Sequence, residues 1–596
     1  MLVCLRMFTF QPDHVKEDAR MKERMPWKIL DDYRGTAFNG LWPTLPELFR
    51  ITASRFPERS CFTVYDPDRI SLTYAQSLAR IDVLTAFLAS QGIKKGDKVV
   101  VTGKNAPEWA VAYLAIMSAG ATVVPVDYQI RNEEIENIIR ASDAIAMFVD
   151  EEKYDALGPE RLGLRSRWSL SAKKPGYVYD LKASGPVPAL TPATESDLAA
   201  ILFTSGTTGN PKGVMLTHAN LVSDCFLAQG NLDVLHTDVF YALLPIHHSY
   251  TMLAVFIEAI SAGAELVFGQ RMVTSAILKE LKEAKVTMFL GVPLLFNKVL
   301  AGILKGIKAK GPLVSGLMGF LMAFSGFIKK VFKVNPGKKM FGSVLDKASL
   351  RTIRICISGG GPLAPSVFRK YNQLGIDFVQ GYGLTETSPI ITLNPVEDYE
   401  ETSVGKLIPQ VQMKILDPDA EGRGEIAVKG PMVMQGYYKN KKATDEVFTA
   451  DGWFKTGDVG YLDSRNYVYL TGRAKNMIVT EGGKNVYPEE IENRFQLYTE
   501  VEQIMIRGHM LDVKQKIEGI EALIFPGKDW FDQDAAKTGT TWDKAAIESH
   551  MRTVVDKINA TMMPYSRIDK ITILSEPLEM TTTKKVKRFV TAPGKS

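Results

Sequence analysis

One stretch of the sequence combines glycines, hydroxyls and a lysine directly after an apolar run. The apolar run at 199–204 predicts a buried strand, and the polar loop begins where that strand ends. Glycines allow backbone N–H groups to converge on an anion, the hydroxyls donate further hydrogen bonds, and the lysine supplies positive charge. The glycine-to-lysine spacing differs from that of the common GxxxxGK(S/T) phosphate loop. We therefore predict a polyphosphate cradle rather than a solvated turn, formed by Thr204, Ser205, Gly206, Thr207, Thr208, Gly209 and Lys212.

A second stretch places three glycines between a predicted strand at 353–358 and a helix that is predicted to begin near Pro365. Gly359, Gly361 and Ala364 satisfy the GxGxxG/A pattern of dinucleotide-binding folds, but Pro362 lies inside the turn. Taken alone, this pattern leaves open a cofactor-dependent oxidoreductase.

The two stretches occur together with further motifs in an order that resembles the adenylate-forming superfamily. This superfamily comprises acyl-CoA synthetases, peptide-synthetase adenylation domains and luciferases. The loop at 201–214 resembles its phosphate loop, and the resemblance extends from about Thr44 to Arg588. The resemblance implies that an adenine base lies against small residues of the glycine-rich turn, Gly359, Gly360, Gly361 and Pro362.

The segment QGYGLTET at 380–387 carries the next resemblance. It implies that Tyr382 stacks on adenine, that Thr385 hydrogen-bonds the α-phosphate, and that Glu386 binds Mg²⁺ with Thr204 as the second protein contact. The residue types suit these roles, because an aromatic face stacks on a base and hard oxygen ligands suit magnesium. The nucleotide-binding residues expected from this segment are Gln380, Gly381, Tyr382 and Gly383.

The segment GWFKTGD at 452–458 ends in an aspartate that resembles a family ribose ligand. A carboxylate such as Asp458 can accept hydrogen bonds from two hydroxyls at once. Arg473 resembles an arginine that also contacts the ribose, and Lys475 falls at the family's hinge position. An ordinary surface lysine describes Lys475 almost as well.

Two further motifs border the reacting groups in related enzymes. In LPIHHSY at 244–250, alignment on Pro245 favours His248 over His247 beside the acyl group, with a core or surface histidine as the alternative. In EMTTTKKVKR at 579–588, Lys585 is the candidate catalytic lysine, and the family's usual Gly-Lys pair is replaced by two lysines. Lys584, or a basic tail without a catalytic role, is the alternative. By resemblance, Gly482 and Gly483 line the channel for the pantetheine arm of CoA.

The resemblance implies a ligase that uses ATP, Mg²⁺ and CoA to convert a carboxylic acid into an acyl-adenylate and then a thioester. The acceptor alternative is acyl-carrier protein, and the acid alternatives are aromatic or medium-chain. From another class, an inactive adenylate-binding regulator remains open. The net charge of +5 over 596 residues gives no reason to expect nucleic acid.

The elements that must position these residues alternate between helix and strand, which predicts an α/β fold with largely parallel sheets. We predict a helix over 74–91 ended by Gly92, a strand over 98–102, and a helix opened by Pro107. A strand at 121–126 contains Pro125, which favours a sheet edge or a strand end. The predicted domains are an N-terminal extension (1–36), a nucleotide-binding body (37–472) with a small antiparallel β unit (404–470), and a mobile α+β lid (473–596).

An insertion at 301–345 contains eight lysines and no Asp or Glu, and its centre, 313–328, is uncharged and rich in Leu, Met and Phe. One interpretation is a buried helix. The other is a helix at 313–333 that lies in the interface of an anionic bilayer. The insertion resembles that of bacterial long-chain acyl-CoA synthetases, which implies a long-chain fatty acid substrate. With four scattered cysteines, a reducing cytoplasm is expected, with peripheral association at the inner face of the membrane. A homodimer is also compatible with the resemblance.

Overall fold

The computed structural model describes residues 24–66, 68–204, 211–271, 273–480, 484–512, 517–580, 586 and 588. Three sheets in the body and two in the C-terminal unit are built from strands numbered here in chain order. The strands are β1 (Ser60–Val64), β2 (Ile70–Thr73), β3 (Lys98–Thr102), β4 (Thr122–Val126), β5 (Ala146–Val149), β6 (Ser166–Ser169), β7 (Leu198–Thr204), β8 (Lys212–Thr217), β9 (Val239–Ala242), β10 (Glu265–Phe268), β11 (Met288–Gly291), β12 (Ile355–Ser358), β13 (Asp377–Gly383), β14 (Ile390–Leu393), β15 (Lys406–Leu407), β16 (Gln412–Leu416), β17 (Gly424–Lys429), β18 (Gly436–Tyr437), β19 (Phe454–Leu462), β20 (Val468–Arg473), β21 (Ile478–Thr480), β22 (Lys484–Val486), β23 (Val501–Asp512), β24 (Ile517–Pro526) and β25 (Lys570–Ile573).

The helices cover the sheets, and α8 and α9 are joined by a π-helical segment, Met252–Ile257. The helices are α1 (Leu45–Arg55), α2 (Tyr74–Ser90), α3 (Pro107–Ser118), α4 (Asn132–Ser142), α5 (Glu151–Tyr154), α6 (Pro159–Leu162), α7 (His218–Ala228), α8 (Ser249–Thr251), α9 (Glu258–Ala262), α10 (Thr274–Glu283), α11 (Pro293–Lys308), α12 (Pro312–Phe332), α13 (Gly337–Met340), α14 (Gly342–Lys347), α15 (Pro365–Gln373), α16 (Lys441–Val447), α17 (Pro488–Glu492), α18 (Lys528–Thr538) and α19 (Lys544–Asn559).

Two large sheets form the body. The nine-stranded sheet has the order β15-β14-β13-β12-β11-β9-β10-β1-β2, and the seven-stranded sheet has the order β18-β8-β7-β4-β3-β5-β6. Their central strands are parallel, whereas β2, β8, β14, β15 and β18 pair in the antiparallel sense. Helix α3 is buried along its length and contacts β3 and β4 of one sheet and β1 of the other. The predicted α/β fold is confirmed.

The local predictions for the first helices and strands are confirmed. Helix α2 begins after Thr73, whose side chain accepts a hydrogen bond from the Gln76 backbone, and Gly92 follows its end at a φ of 76°. Strand β4 is not an edge strand, because it pairs with β3 on one side and β7 on the other. Its pairing with β7 is confined to Val123, so the missing N–H of Pro125 interrupts no ladder at the strand end.

The segment predicted as a small antiparallel unit contributes to all three sheets of the body. Four of its strands form an antiparallel sheet of order β16-β17-β19-β20, while β15 and β18 complete the edges of the two large sheets. The C-terminal unit contains the pair β21-β22 and the sheet β23-β24-β25, packed against α19. The predicted domain boundaries remain predictions.

The segment before residue 37 is described from residue 24 onwards and packs on the body. Arg24 pairs with Asp233 and with Glu397, and Leu30 of a short 3₁₀ helix, Pro26–Asp32, is buried. Among the described residues, α12 is the one helix that is long and apolar enough to cross a membrane by length and composition, and 17% of its apolar window is buried.

Candidate active site

The phosphate loop predicted from the sequence connects two strands of a hairpin. Thr204 at the end of β7 pairs with Lys212 at the start of β8 in the antiparallel ladder, and both side chains are half-buried. The loop residues Ser205, Gly206, Thr207, Thr208 and Gly209 lie outside the described residues. The hairpin therefore brings the Thr204 hydroxyl and the Lys212 ammonium to the two ends of the same loop.

A tyrosine that the sequence analysis missed connects this hairpin to Glu386. Tyr437 lies in β18, which pairs with β8, and its hydroxyl donates a hydrogen bond of 2.8 Å to Glu386 Oε1. The Lys212 Nζ atom lies 4.8 Å from the centre of the Tyr437 ring. Burial, followed by the Glu386 carboxylate, raises the pKa of Tyr437, so its hydroxyl remains a donor at neutral pH. Tyr437 thus holds one carboxylate oxygen of Glu386 beside the cation at the phosphate loop.

The neighbouring threonine is joined to the histidine motif. Thr385 Oγ1 lies 3.0 Å from Ser249 Oγ, at hydrogen-bonding distance, and His248 precedes this serine in the chain. The His247 ring is buried, lies 4.3 Å from the His248 ring between centroids, and approaches Asp127 Oδ2 to 3.5 Å. His248 is half-buried, while His247 packs inward, and the position of His248 beside the acyl group remains a prediction.

The glycine-rich turn follows β12 and is enclosed by two side chains that the sequence analysis did not select. The Tyr250 hydroxyl donates to the Ile357 carbonyl at 3.0 Å, and a Cβ atom on Gly359 would lie 2.9 Å from the Tyr250 ring. Gly360 adopts a φ of 76°, which favours glycine. From the C-terminal unit, Gln496 accepts from the Ala364 backbone N–H at 2.8 Å and donates to the Pro362 carbonyl at 2.9 Å.

On the other side of this turn, three predicted nucleotide-binding residues form one cluster. Asp458 in β19 pairs with Arg473 in β20, and Arg473 Nε lies 2.6 Å from Asp458 Oδ1. The Tyr382 hydroxyl donates to Asp458 Oδ2 at 2.6 Å, and its side chain is 9% exposed. Burial, followed by the Asp458 charge, raises the pKa of Tyr382. A carboxylate oxygen can accept more than one hydrogen bond, which is the property that the predicted ribose contact requires of Asp458.

Gln380, Gly381 and Gly383 belong to β13, the strand that carries Tyr382. Gly383 has no room for a side chain, since a Cβ atom would lie 1.6 Å from the Pro389 carbonyl oxygen. The segment from Tyr382 to Glu386 therefore spans the site, with its first residue bonded to Asp458 and its last to Tyr437.

The C-terminal candidates are described in part. Lys475 lies exposed in a 3₁₀ turn, Ala474–Asn476, between β20 and β21. Lys585, Gly482 and Gly483 lie outside the described residues, as does Lys584. Arg588, three residues beyond Lys585, donates to Glu492 at 2.6 and 2.7 Å and to the Ile506 carbonyl at 2.9 Å. Burial raises the pKa of Glu492 to about 7, although Arg588 opposes that shift. Arg588 itself is thus held against Glu492 and β23 of the C-terminal unit.

The residues predicted to contact magnesium offer a donor set that fits the ion. Glu386 has a second carboxylate oxygen besides the one that Tyr437 holds, and Thr204 supplies a hydroxyl. Both are hard oxygen ligands, and Mg²⁺ usually takes one or two such protein ligands together with substrate phosphates. The sequence signal for Tyr437 was weak, because its pairing with β8 depends on tertiary structure.

Comparisons with known proteins agree with this arrangement. The profile described as AMP-binding enzyme matches residues 49–438. The long-chain-fatty-acid–CoA ligase FadD15 of Mycobacterium bovis is 28% identical over 87% of this chain and 90% of its own length. The chloroplastic long-chain-fatty-acid–[acyl-carrier-protein] ligase AEE15 of Arabidopsis thaliana is 27% identical over 96% of this chain and 88% of its own length. The crystal structure of ATP-bound MatB from Rhodopseudomonas palustris is 25% identical, with a TM-score of 0.72 over 92% of this chain and 98% of its own. The chain therefore belongs to the AMP-binding enzymes, and it is an adenylate-forming acid–thiol ligase.

Proposed function

We propose that this ligase activates a long-chain fatty acid as its acyl-adenylate and transfers the acyl group to CoA. The observation that carries the nucleotide site is the Tyr382–Glu386 segment, which connects Asp458 and Arg473 on one side with Tyr437 and Lys212 on the other. These residues follow one another in the order of their predicted partners along ATP, from the ribose through the α-phosphate to the polyphosphate tail. The choice of a long-chain fatty acid is supported by the names of two relatives, FadD15 and AEE15.

In the first step, an oxygen of the fatty acid carboxylate attacks the α-phosphorus of ATP, and the bond to pyrophosphate breaks. Negative charge grows on the phosphate oxygens, and Lys212, Thr385 and the candidate Lys585 supply positive charge and donors to them. When bound, Mg²⁺ on Glu386 and Thr204 would neutralise phosphate charge. Asp458 and Arg473 hold the ribose, and Tyr382 and Gly359–Gly361 hold the base. Holding both reactants in line removes much of the entropic cost of their encounter.

In the second step, the thiol sulfur of CoA attacks the acyl carbon and AMP leaves. The candidate Lys585 must withdraw to make room for the thiol. Rotation of the C-terminal unit about Lys475 would move Lys585 out and bring Gly482 and Gly483 to the pantetheine arm. The clasp of Gln496 on the glycine-rich turn is a contact that such a rotation would have to break.

A second acceptor is favoured by a specific observation. The similarity to the acyl-carrier-protein ligase extends over 96% of this chain, compared with 87% for the CoA ligase, at nearly equal identity. Transfer of a radiolabelled acyl group to CoA and to acyl-carrier protein, measured at matched acceptor concentrations, distinguishes the two. If the thioester forms only on the carrier protein, acyl-carrier protein and not CoA is the acceptor.

Acid-dependent ATP–pyrophosphate exchange with Mg²⁺ tests the substrate class. Across acids from acetate to stearate, and with benzoate and ferulate alongside, exchange is expected to peak with the long-chain acids. Lys585→Ala is expected to lower exchange by about a hundredfold or more, the loss typical of one transition-state donor. A maximum at short or aromatic acids would overturn the fatty acid assignment, and no exchange with any acid would favour an inactive adenylate-binding regulator.

Tyr437→Phe tests the link between Glu386 and the phosphate loop. The variant removes the hydroxyl that orients Glu386, so the Mg²⁺ concentration required for half-maximal exchange should rise about tenfold. Tyr438→Phe is the matched control, since the neighbouring hydroxyl donates to Asp143 on the surface. Equal magnesium dependence in both variants would show that Tyr437 does not orient the metal-binding carboxylate.

A further inference from the structure

Helix α12 presents an apolar stripe to solvent. Its exposed large hydrophobic residues recur at intervals of four and three, which places them on one face of an α-helix. The most exposed are Leu313 at 88% and Phe320 at 67%. At 21 residues the helix is about 31 Å long, and the apolar stripe extends along most of that length. The stripe is formed by Leu313, Leu317, Phe320, Phe324, Phe327 and Val331.

The opposite face of α12 packs on the body through both apolar and polar contacts. Met322, Ser325 and Lys329 are buried there. Lys329 Nζ donates to Asp377 Oδ1 and to Asn372 Oδ1, each at 2.6 Å, and so anchors the last turns of the helix on β13 and α15. The usual orientation of a surface helix is reversed, since a lysine lies inside and phenylalanines lie outside. The interpretation of this segment as a buried helix is therefore wrong.

The charges around the stripe have one sign. Between residues 301 and 345 the chain contains eight lysines and no carboxylate side chain. Lys308, Lys310, Lys330 and Lys339 are exposed near the ends of α12. Both ends of the helix return to the body, through α11 before it and α13 after it, which favours a helix that lies along a surface rather than one that spans a bilayer.

We propose that α12 is a docking surface for an anionic lipid bilayer, with the apolar stripe inserted at the level of the acyl chains and the flanking lysines at the headgroups. This combination of an aromatic and aliphatic face with basic flanks is what binds such interfaces. A second copy of the chain fits less well, because a two-fold interface pairs a patch with itself and would bring the lysines together without carboxylates. The docking surface does not depend on which acid is the substrate.

Helix α11 connects the proposed docking surface on α12 to the glycine-rich turn of the nucleotide site. Helix α11 begins at Pro293, whose ring would lie 3.6 Å from a Cβ atom on Gly361, and it ends at Lys308 before the turn into α12. Phe296, Leu300, Ile303 and Ile307 of α11 pack in the same apolar cluster as Met322 of α12. The lipid surface is thereby placed at the end of a single helix that starts beside the glycine-rich turn.

Flotation of the full chain with vesicles tests the proposal. Vesicles of phosphatidylcholine with about 30% phosphatidylglycerol are expected to carry the protein, and pure phosphatidylcholine to carry much less. A triple variant, Phe320→Gln with Phe324→Gln and Phe327→Gln, should lower the partition coefficient by about a hundredfold. The matched control replaces three equally exposed apolar residues away from α12, Leu41→Gln with Ile70→Gln and Met563→Gln, and should bind as the wild type does.

Three outcomes would overturn the proposal. They are no flotation of the wild type with the anionic vesicles, equal loss in the triple variant and its control, and a dimer in sedimentation velocity that the triple variant alone dissociates. Exchange activity across the acids from acetate to stearate, measured without vesicles, keeps the two proposals apart. A triple variant that retains exchange but loses flotation supports the docking surface. Flotation by a wild type that lacks exchange would overturn the proposed function alone.

Discussion

Helices α11 and α12 are neighbours with the same spacing of large apolar residues and opposite orientations. In α11, Phe296, Leu300, Ile303 and Ile307 recur at intervals of four, three and four and are buried. In α12 the same intervals connect residues that face solvent. Both helices are rich in large apolar residues and carry lysines in their last turns, so apolar content alone does not explain the difference.

What differs is the polar residue on the side that meets the body. Lys329 has Asp377 and Asn372 at 2.6 Å, so the body offers α12 a charged site beside the apolar cluster that receives Met322. Burial lowers the pKa of Lys329, while Asp377 opposes this shift. The spacing of apolar residues places them on one face of a helix, whereas the residues of the body that meet the helix decide whether that face turns inward.

The largest effect is expected at the buried face of α11. Phe296→Ala removes a ring that contacts Phe289, Tyr371 and Phe378 edge-on, and should lower the free energy of unfolding by about 4 kcal/mol. Phe324→Ala in α12 should change it by less than about 0.5 kcal/mol, because the ring is exposed. Urea denaturation followed by tryptophan fluorescence measures both, and equal losses would show that α12 is packed like α11.

The anchor of α12 should come next. Asp377→Ala leaves the Lys329 ammonium buried without its counter-charge and should lower the free energy of unfolding by about 3 kcal/mol. Lys330→Ala, at the exposed neighbouring position, is the control and should be nearly neutral. If both variants unfold at the same urea concentration, the ion pair does not set the orientation of the helix.

A buried carboxyl group in a helix of the core, Glu258, extends the comparison to pH. Glu258 is buried with Gln229 Nε2 at 2.7 Å, and burial raises its pKa from 4.5 to about 8. The folded chain then binds more protons than the unfolded chain between these values, so Glu258 makes the free energy of unfolding fall as pH rises through that window. The difference between Glu258→Gln and wild type should therefore shift in favour of the variant, by about 2.5 kcal/mol from pH 5 to pH 7.

The wild type alone does not show this shift, because His218 acts in the opposite direction. Burial lowers the pKa of His218 to about 4, so its contribution to stability is lost as pH falls from 6.5. Urea denaturation midpoints of the wild type and of Glu258→Gln at several pH values isolate the contribution of Glu258 to the free energy of unfolding. A variant whose stability follows the wild type at every pH would contradict the raised pKa.

Local elements were predictable from the sequence because their signals are local. The strand Lys98–Thr102 has the predicted bounds, and α2 begins at Tyr74 and is followed by Gly92 as expected. The cluster of Asp458, Arg473 and Tyr382 consists of predicted residues, since their motifs are short and specific. Of the two positions predicted for Pro125, the strand end is confirmed and the sheet edge is wrong, because a proline in a strand does not by itself reveal where the neighbouring ladder ends.

Residue type and spacing along the chain were enough to predict which side chains are available for chemistry and the bounds of elements such as Lys98–Thr102, because both signals are local. Only the tertiary structure decided that Tyr437 holds Glu386 and that Gln496 clasps the glycine-rich turn, since both contacts join residues far apart in the chain. It also decided that α12 turns its phenylalanines outward. Hydrophobic attraction has no direction, and the pairing of buried Lys329 with Asp377, together with the packing of Met322, distinguishes the inner face of α12 from the apolar stripe.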